Sequence, residues 1–413
     1  MLRNYAVIAV KVLLRRKFFT AVNLFGIAFT LTVLLVATAL LTSVFGSEAP
    51  NVHGDRLLGL YTVRLEGDSG QTIGPAGWAL LDPVLRDLPG AAEVSVISVG
   101  SQAASYLDGG RVDSWLRRTD GAFWRVFHFD FLEGGPFTDA DTDAGRMVAV
   151  INAATRDRFF AGSDAVGREI ELDGQRFRVV GVVADVSPLQ LAAFSDAWVP
   201  ITTAKSSAYR HEIRGALIGL ILPESRRAIR AVKAEVRHRI ETFQLPDPDQ
   251  FDTIYAGADT LAETVARSVL DSRRREAPVA LLRAIVVLVA LLFMALPAIN
   301  LTNLNVSRIL ERAPEIGVRK AYGASSATLV GQFVVENLIL TALGAILGLA
   351  GAAVVLQVLE GSGLIPYAHL GINAAVLGWG VVLTFVFGLL SGVFPAWKMS
   401  RLHPAAALHG RTL

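Results

Sequence analysis

Four runs of apolar residues pass without a single charge, and each is long enough to cross a bilayer as a helix. Phe18 to Ser47 contains no charged residue, Ala284 to Ser307 is uncharged over 24 residues, Asn337 to Leu359 over 23 and Leu370 to Trp397 over 28. A span needs roughly 20 apolar residues to cross about 30 Å of hydrocarbon. At a rise of about 1.5 Å per residue, even the shortest run reaches about 35 Å. Basic residues precede the first run, as they do in a cleaved secretory signal. The apolar core of such a signal is typically about 7 to 15 residues, roughly half the length seen here. Buried helices of a soluble core could mimic one such run, hardly four.

Between the first and second runs the pattern changes period. Ile170 to Val180 alternates apolar and polar residues around Asp173-Gly174, the turn pair that favours a tight hairpin. Val148 to Ile151 reads as a short buried strand and Asn152 to Phe160 as a short helix. From Ser225 to Phe243, apolar residues at 229, 232, 236, 240 and 243 fall on one helical face. The same segment carries Arg226, Arg227, Arg230, Lys233, Arg237 and Arg239. In an acidic domain without a nucleic-acid-binding fold these read as a solvated face. Leu245 to Asp249, with two prolines, reads as a turn or linker. Residues 48 to 128 show no pattern that places elements.

Composition agrees with the spans. The chain has 413 residues, 52% hydrophobic and only 18% charged, against about 25% charged in an ordinary soluble domain; its mean hydropathy is +0.46. Such a charge-poor chain is neither wholly soluble nor intrinsically disordered. The charge is also partitioned. Residues 48 to 276 hold 33 acidic and 26 basic residues, a net of −7, while the remainder holds 13 basic and 4 acidic, a net of +9. A polar insert between basic, apolar ends fits a membrane protein with one large aqueous domain.

Lysine and arginine set the orientation. Arg3, Lys11, Arg15, Arg16 and Lys17 precede the first span; Arg308, Arg312, Arg319 and Lys320 lie between the second and third; Lys398, Arg401 and Arg411 follow the fourth. Arg273, Arg274, Arg275 and Arg283 disagree, and weigh lightly because long domains translocate largely regardless of charge. The fold class expected is therefore a membrane protein of four transmembrane α-helices with a large mixed α/β extracytoplasmic domain between helices 1 and 2. Its expected order is a cytoplasmic segment 1–17, span 18–47, extracytoplasmic domain 48–275 and span 276–307 with a possible stalk extension. A cytoplasmic segment 308–326, span 327–359, short loop 360–370, span 371–397 and cytoplasmic tail 398–413 follow.

Catalytic signatures are missing. No Gly-x-x-x-x-Gly-Lys-[Ser/Thr] run occurs, nor His-Glu-x-x-His, nor Gly-x-Ser-x-Gly. The seven histidines are dispersed without metal-ligand spacing, and cysteine is absent. A non-catalytic chain that binds no cofactor or metal is expected. Inside the spans, Gly344-x-x-x-Gly348 and Gly388-x-x-x-Gly392 permit close helix approach. They could pack spans three and four within a subunit or join subunits. Pro297 is expected to kink the second span. Glu336 is the one charge near a span. An intramembrane acid reads as functional by default; alternatively it snorkels at the cytoplasmic boundary.

Two stretches resemble known families. Phe131–Phe137, Val148–Asn152, Phe159–Gly162, Asp164–Arg168 and Phe177–Val182 follow in the order of the periplasmic core domain of MacB-like permeases. Asn300 to Ser325, containing Glu311-Arg312 and Glu315-Ile-Gly-Val-Arg-Lys-Ala-Tyr-Gly-Ala324, resembles the FtsX-like permease family of ABC transporters. Gln332–Glu336, Gly388–Ala396 with Lys398, Arg401 and Leu402, and Arg15–Lys17 followed by Asn23–Ala28 fit the same family.

The resemblance implies that the segment between spans two and three rests as a coupling helix on a separate ABC ATPase, which holds ATP and Mg2+. Its contact residues would be Glu311, Arg312, Glu315, Ile316, Gly317, Arg319, Lys320, Gly323 and Ala324. Pro314 departs from the family's usual residue, though it suits a first helical turn, and Glu315 suits the N-terminal end of the helix dipole. The implied function is the permease subunit of an ABC transporter in the bacterial inner membrane, with both termini cytoplasmic. Motion of the periplasmic domain would export or extract a hydrophobic or peptide-like cargo. Two ATPase copies, a second permease copy or a similar permease, membrane lipid and a possible periplasmic adaptor are the partners expected; nucleic acid is not. An ATPase-driven regulator of a periplasmic cell-wall hydrolase or sensor is the alternative. An ion-coupled secondary transporter is disfavoured, because inverted repeats are not apparent and the spans lack ionisable residues.

Overall fold

A computed structural model of the chain describes residues 14–15, 17–68, 70–107, 110–246, 249–272, 276–311 and 325–368, with 318, 322 and scattered positions from 370 to 389. It divides into two compact units. One comprises Ser43–Leu282 with Ile365–His369, the other Met1–Thr42 with Arg283–Leu364 and Leu370–Leu413.

The chain enters through helix α1 (Lys17–Phe45), then forms β1 (Leu58–Leu60), β2 (Val63–Gly67), β3 (Gly70–Gly74) and α2 (Trp78–Leu85). Next come β4 (Ala91–Ser98), β5 (Ser101–Leu107), β6 (Gly110–Thr119), α3 (Phe123–Val126), β7 (Phe131–Gly134) and α4 (Asp139–Asp143). They are followed by β8 (Val148–Asn152), α5 (Ala153–Phe160), β9 (Glu169–Leu172), β10 (Gln175–Val183) and β11 (Ala197–Pro200). The α/β unit closes with β12 (Leu217–Pro223), α6 (Ile229–Glu241), β13 (Thr253–Tyr255) and α7 (Leu261–Val269). Two long helices remain, α8 (Val279–Glu311) and α9 (Ser326–Gly361).

Ten strands make one sheet in the order β1-β12-β4-β6-β11-β8-β10-β7, with β5 beside β6 and β9 beside β10; β13-β2-β3 forms a second, smaller sheet. The pairs β8/β10 and β6/β11 run parallel. Every residue of β8 and β11 is buried, which is why Val-Ala-Val-Ile reads as a continuous apolar run instead of an alternating one. The hairpin at Asp173-Gly174 is present, with φ of +53° and +69° at the two turn residues and Leu172 opposite Gln175. Gly134 and Gly181 let β7 and β10 cross closely: a Cβ on either would sit 2.1 or 2.4 Å from a backbone carbonyl oxygen.

On α6 the expected apolar face is the buried one, through Val232, Val236 and Ile240. Two of its basic residues are occupied within the domain. Lys233 pairs with Glu263, and Arg239 donates to Glu235 at 2.8 Å and to the Arg86 carbonyl at 2.6 Å. Near the helix, Arg226 donates to Asp55 at 2.6 Å. One core cluster joins α2 and α6 to the sheet; another gathers Phe123, Phe127, Phe137 and Trp198.

In the membrane unit, α1 and the Val334–Gly361 part of α9 are long and apolar enough to cross a bilayer, with mean hydropathies of 2.5 and 2.4. The apolar part of α8, Val279–Ala295, is shorter. The chain is thus a multi-pass membrane protein with a large α/β domain between apolar helices. The helix α8 continues to Glu311, four residues beyond the expected end of that span.

Asp120 fastens β4 to the start of α3. Its carboxylate accepts from Ser95 Oγ at 2.7 Å, Val96 N at 2.7 Å and Phe123 N at 3.1 Å. Burial pushes its pKa up to about 6 against the pull of those three donors. A carboxyl raised by folding contributes stability that is present below its unfolded pKa and lost as pH rises through its folded one. Relative to Asp120→Asn, the wild-type protein should therefore lose about 3 kcal/mol of stability between pH 3.5 and pH 6.5. Denaturant unfolding of both proteins across that range checks it; a difference independent of pH would refute the assignment.

Candidate functional site

Within the membrane unit, α1 and α9 meet along a face made by removing side chains. A Cβ on Gly344 would sit 2.6 Å from Ile27 Cγ2, one on Gly348 2.9 Å from the Ala28 carbonyl oxygen, and one on Gly351 2.7 Å from Thr32 Oγ1. Thr32 Oγ1 donates to the Gly348 carbonyl at 3.0 Å. These pairs advance together along both helices, so the two run parallel. Among the described residues, the neighbours of Gly344 and Gly348 lie on α1. Further along, Leu31 and Leu35 cluster with Ala345 and Ala352. Without a hydrophobic drive in lipid, such close backbone approach and its dispersion contacts hold helices together.

One turn before the Ile27–Leu340 contact, the face turns polar. Asn23 and Thr30 on α1, and Gln332, Glu336, Asn337 and Thr341 on α9, are all buried. Glu336 is only 5% exposed, so its side chain is enclosed by the helices. Thr30 Oγ1 donates to its own helix at Gly26 O, 2.8 Å away. Among the described residues, the Asn23 amide has no hydrogen-bond partner.

The coupling segment lies between the end of α8, where Glu311 is the last residue, and Ser325, whose hydroxyl caps α9 by accepting from Thr328 N at 3.2 Å. Arg312, Glu315, Ile316, Gly317, Arg319, Lys320, Gly323 and Ala324, together with Gly388 and Gly392, lie outside the described residues. Two intervening residues are described. Tyr322 N donates to Val318 O at 3.1 Å, an i to i+4 bond that closes one helical turn. Val318 is 48% exposed and Tyr322 90%. The sequence motif contains Tyr322 without marking it out, because an aromatic residue in an apolar segment gives no sign of its exposure.

His53 and His128 pack edge to face at 5.1 Å. Burial, then Arg56 and His128, hold the His53 pKa below its ordinary value. Among the described residues no group of three or more potential ligands could hold a metal ion. A crevice lined by Asn51, Tyr61, Phe127 and Gln190 has a core of about 30 Å³, room for water and not for a cargo molecule.

Residues 20–239, more than half the chain, match the MacB-like periplasmic core domain, and residues 287–404 match the FtsX-like permease C-terminal domain. The chain belongs to the MacB/FtsX-like family of ABC transporter permeases. Membership makes it a non-catalytic permease component. It is 26% identical over 398 residues to the pyoverdine export ATP-binding/permease protein PvdT of Pseudomonas savastanoi pv. phaseolicola, covering 95% of this chain and 57% of that protein. The uncharacterized ABC transporter permease YknZ of Bacillus subtilis is 24% identical over 328 residues, 78% of this chain and 77% of that one. Among solved structures, the extracellular domain of the noncanonic ABC-type transporter YknZ from Gram-positive bacteria aligns with 48% of this chain and 98% of its own at 19% identity, with a TM-score of 0.37. The chain thus spans little more than half the length of its PvdT relative.

The glycine face gives a direct test for this MacB/FtsX-like permease. Gly348→Leu should force α1 and α9 apart and cost about 1–3 kcal/mol, seen as a lower melting temperature in detergent. Gly331→Ala, on the same helix where a Cβ meets nothing within 4 Å, should leave it unchanged. Equal effects would remove the packing argument.

Proposed function

We propose that this chain is the moving membrane part of an ATP-driven export machine. In this reading it has four spans and cytoplasmic termini, with the α/β domain on the extracytoplasmic side of a bacterial inner membrane. The segment from Glu311 to Ala324 seats on an ABC ATPase, two copies of which serve a pair of permeases and hold ATP and Mg2+. Closure of the ATPase pair pushes on this segment, tilts the helices and moves the outer domain against a hydrophobic or peptide-like cargo. The family resemblance implies a coupling helix in this segment, and the relative named for pyoverdine export supports an export role.

The observation that carries the reading is the exposed Val318–Tyr322 turn between α8 and α9. Glu315, Arg319 and Lys320 surround it in sequence and supply charges for an ATPase surface. An aromatic anchor at a protein interface is commonly worth at least about 2 kcal/mol, or roughly a 30-fold loss in affinity. Tyr322→Ala, and more severely Gly317→Trp, should strip the ATPase from the complex purified from membranes while leaving the permease folded. Undiminished ATPase in both variants would defeat the coupling assignment.

Sidedness is tested separately, because the chain has no cysteine of its own. A membrane-impermeant maleimide applied from outside the inner membrane should label Tyr106→Cys and spare Tyr322→Cys. Labelling of both from one side would overturn the topology.

A further inference from the structure

The smaller sheet of the α/β unit ends in an unguarded edge. Its order β13-β2-β3 leaves β3 with a neighbour on one side only. Gly67 lies opposite Gly70 where β2 and β3 meet, Leu65 opposite Thr72 and Val63 opposite Gly74. Antiparallel pairs alternate between hydrogen-bonded and open. With Gly67 and Gly70 as the bonded closing pair, the N–H and C=O groups of Gln71 and Ile73 point away from β2. Among the described residues no backbone bond satisfies them, and both residues are exposed. Other edges carry the usual protection against added strands. On β7, Glu133 is held by Arg156 at 3.0 Å and the register with β10 shifts at Val182/Val183. On β1, Gly59 is bonded to Asp259. Gly70 to Gly74 contains neither a charge nor a proline.

This edge is closed at the Gly74 end. Beyond Gly74 the backbone is already engaged: Pro75 O accepts from Gly215 N at 3.2 Å, Ala76 O accepts from Leu217 N at 2.9 Å, and Gly77 N donates to Ile213 O at 2.7 Å. The segment that makes these bonds brings Arg214 to the end of β3. A Cβ on Gly74 would lie 3.5 Å from Arg214 Cδ and 3.7 Å from its Nε. Arg214 is exposed, and among the described residues no carboxylate pairs with it. A row of unmet peptide groups therefore leads to an unpaired cation. An apolar ligand would satisfy neither, and a free anion only the second. An extended peptide with a carboxylate at that end satisfies both.

We infer that β3 is a docking strand for the C-terminal segment of a peptide cargo, which adds to the sheet with its terminal carboxylate on Arg214. The peptide runs in the same direction as β3, because its carboxylate lies at the Gly74 end. Main-chain bonds to Gln71 and Ile73 hold it with little regard to its sequence, and the Ile73 side chain offers an apolar neighbour to alternate residues. The assignment of the peptide as cargo rests on the export reading above, whereas the strand docking itself does not.

The probe is the pentapeptide Ser-Val-Thr-Val-Val, labelled with fluorescein at its N-terminus, and its binding to the full chain in detergent is read by fluorescence anisotropy. It should bind saturably, and its C-terminal amide roughly tenfold more weakly, as expected for losing a hydrogen bond to a charged group. Arg214→Gln should bring the acid and amide forms to the same affinity. Ile73→Pro, which removes one outward N–H, should abolish binding of both. Absence of saturable binding, equal affinities on the wild-type chain, or an unchanged acid-to-amide ratio in Arg214→Gln would overturn the docking. Undiminished binding to Ile73→Pro would overturn it too; if that variant does not fold, the Arg214→Gln ratio decides. With the ATPase bound, a non-hydrolysable ATP analogue should shift the peptide's Kd at least about fivefold. An unchanged Kd would refute the cargo role and leave the docking standing. Purification of the wild-type complex without any ATPase would refute the export reading, and the titrations of this chain would still decide the docking.

Discussion

The cost of placing an ionised group in hydrocarbon divides this chain into two chemistries. A charged side chain at the centre of a bilayer costs about 2.5–3.5 kcal/mol even on the mildest scales, so charge is expelled from the helices and gathered in the insert between α1 and α8. Within the helices the backbone must satisfy its own hydrogen bonds, which leaves little besides shape to distinguish one packing partner from another. Glycines at 344, 348 and 351 provide that shape, and the Thr32 hydroxyl adds a polar contact to the Gly348 carbonyl. The exceptions to apolarity, Asn23 and Glu336 among them, are kept inside the helix packing rather than on its outer face.

The α/β unit solves the opposite problem, building rigidity from a chain rich in charge. Ion pairs such as Arg156–Glu133 at 3.0 Å sit at its surface and contribute little singly. Its framework is the buried β8–β11 centre and the groups that tie loops to it. Arg117 illustrates the principle. Burial lowers its pKa to about 10, and its guanidinium donates to the carbonyls of Ser98, Leu191 and Phe194.

Much of this was legible in the sequence where the determining contacts are local. Two of the spans, in α1 and α9, follow from uncharged length, the β9–β10 hairpin from Asp173-Gly174, and the inward face of α6 from its spacing of three and four. Within residues 48 to 128, β1 and β4 were opaque because their partner β12 is distant, whereas β2–β3 and β5–β6 pair with near neighbours without a clear alternation to announce them. The glycines of α9 announced a close approach, yet their partner on α1 lies more than 300 residues away. In the coupling segment the motif pointed to charges and glycines, whereas the exposed pair Val318 and Tyr322 required the fold to be seen.

The pairing of β1 with β12 also bears on how the protein is made. Leu58 lies opposite Ile221, and Gly59 exchanges two backbone hydrogen bonds with Asp259. The first strand of the domain therefore waits about 200 residues for its last partner to emerge. Contacts so far apart in sequence close slowly, and unpaired strand edges are prone to aggregate meanwhile. A nascent chain would thus deliver β1 long before β12, so that this edge stays unpaired until most of the domain has been made.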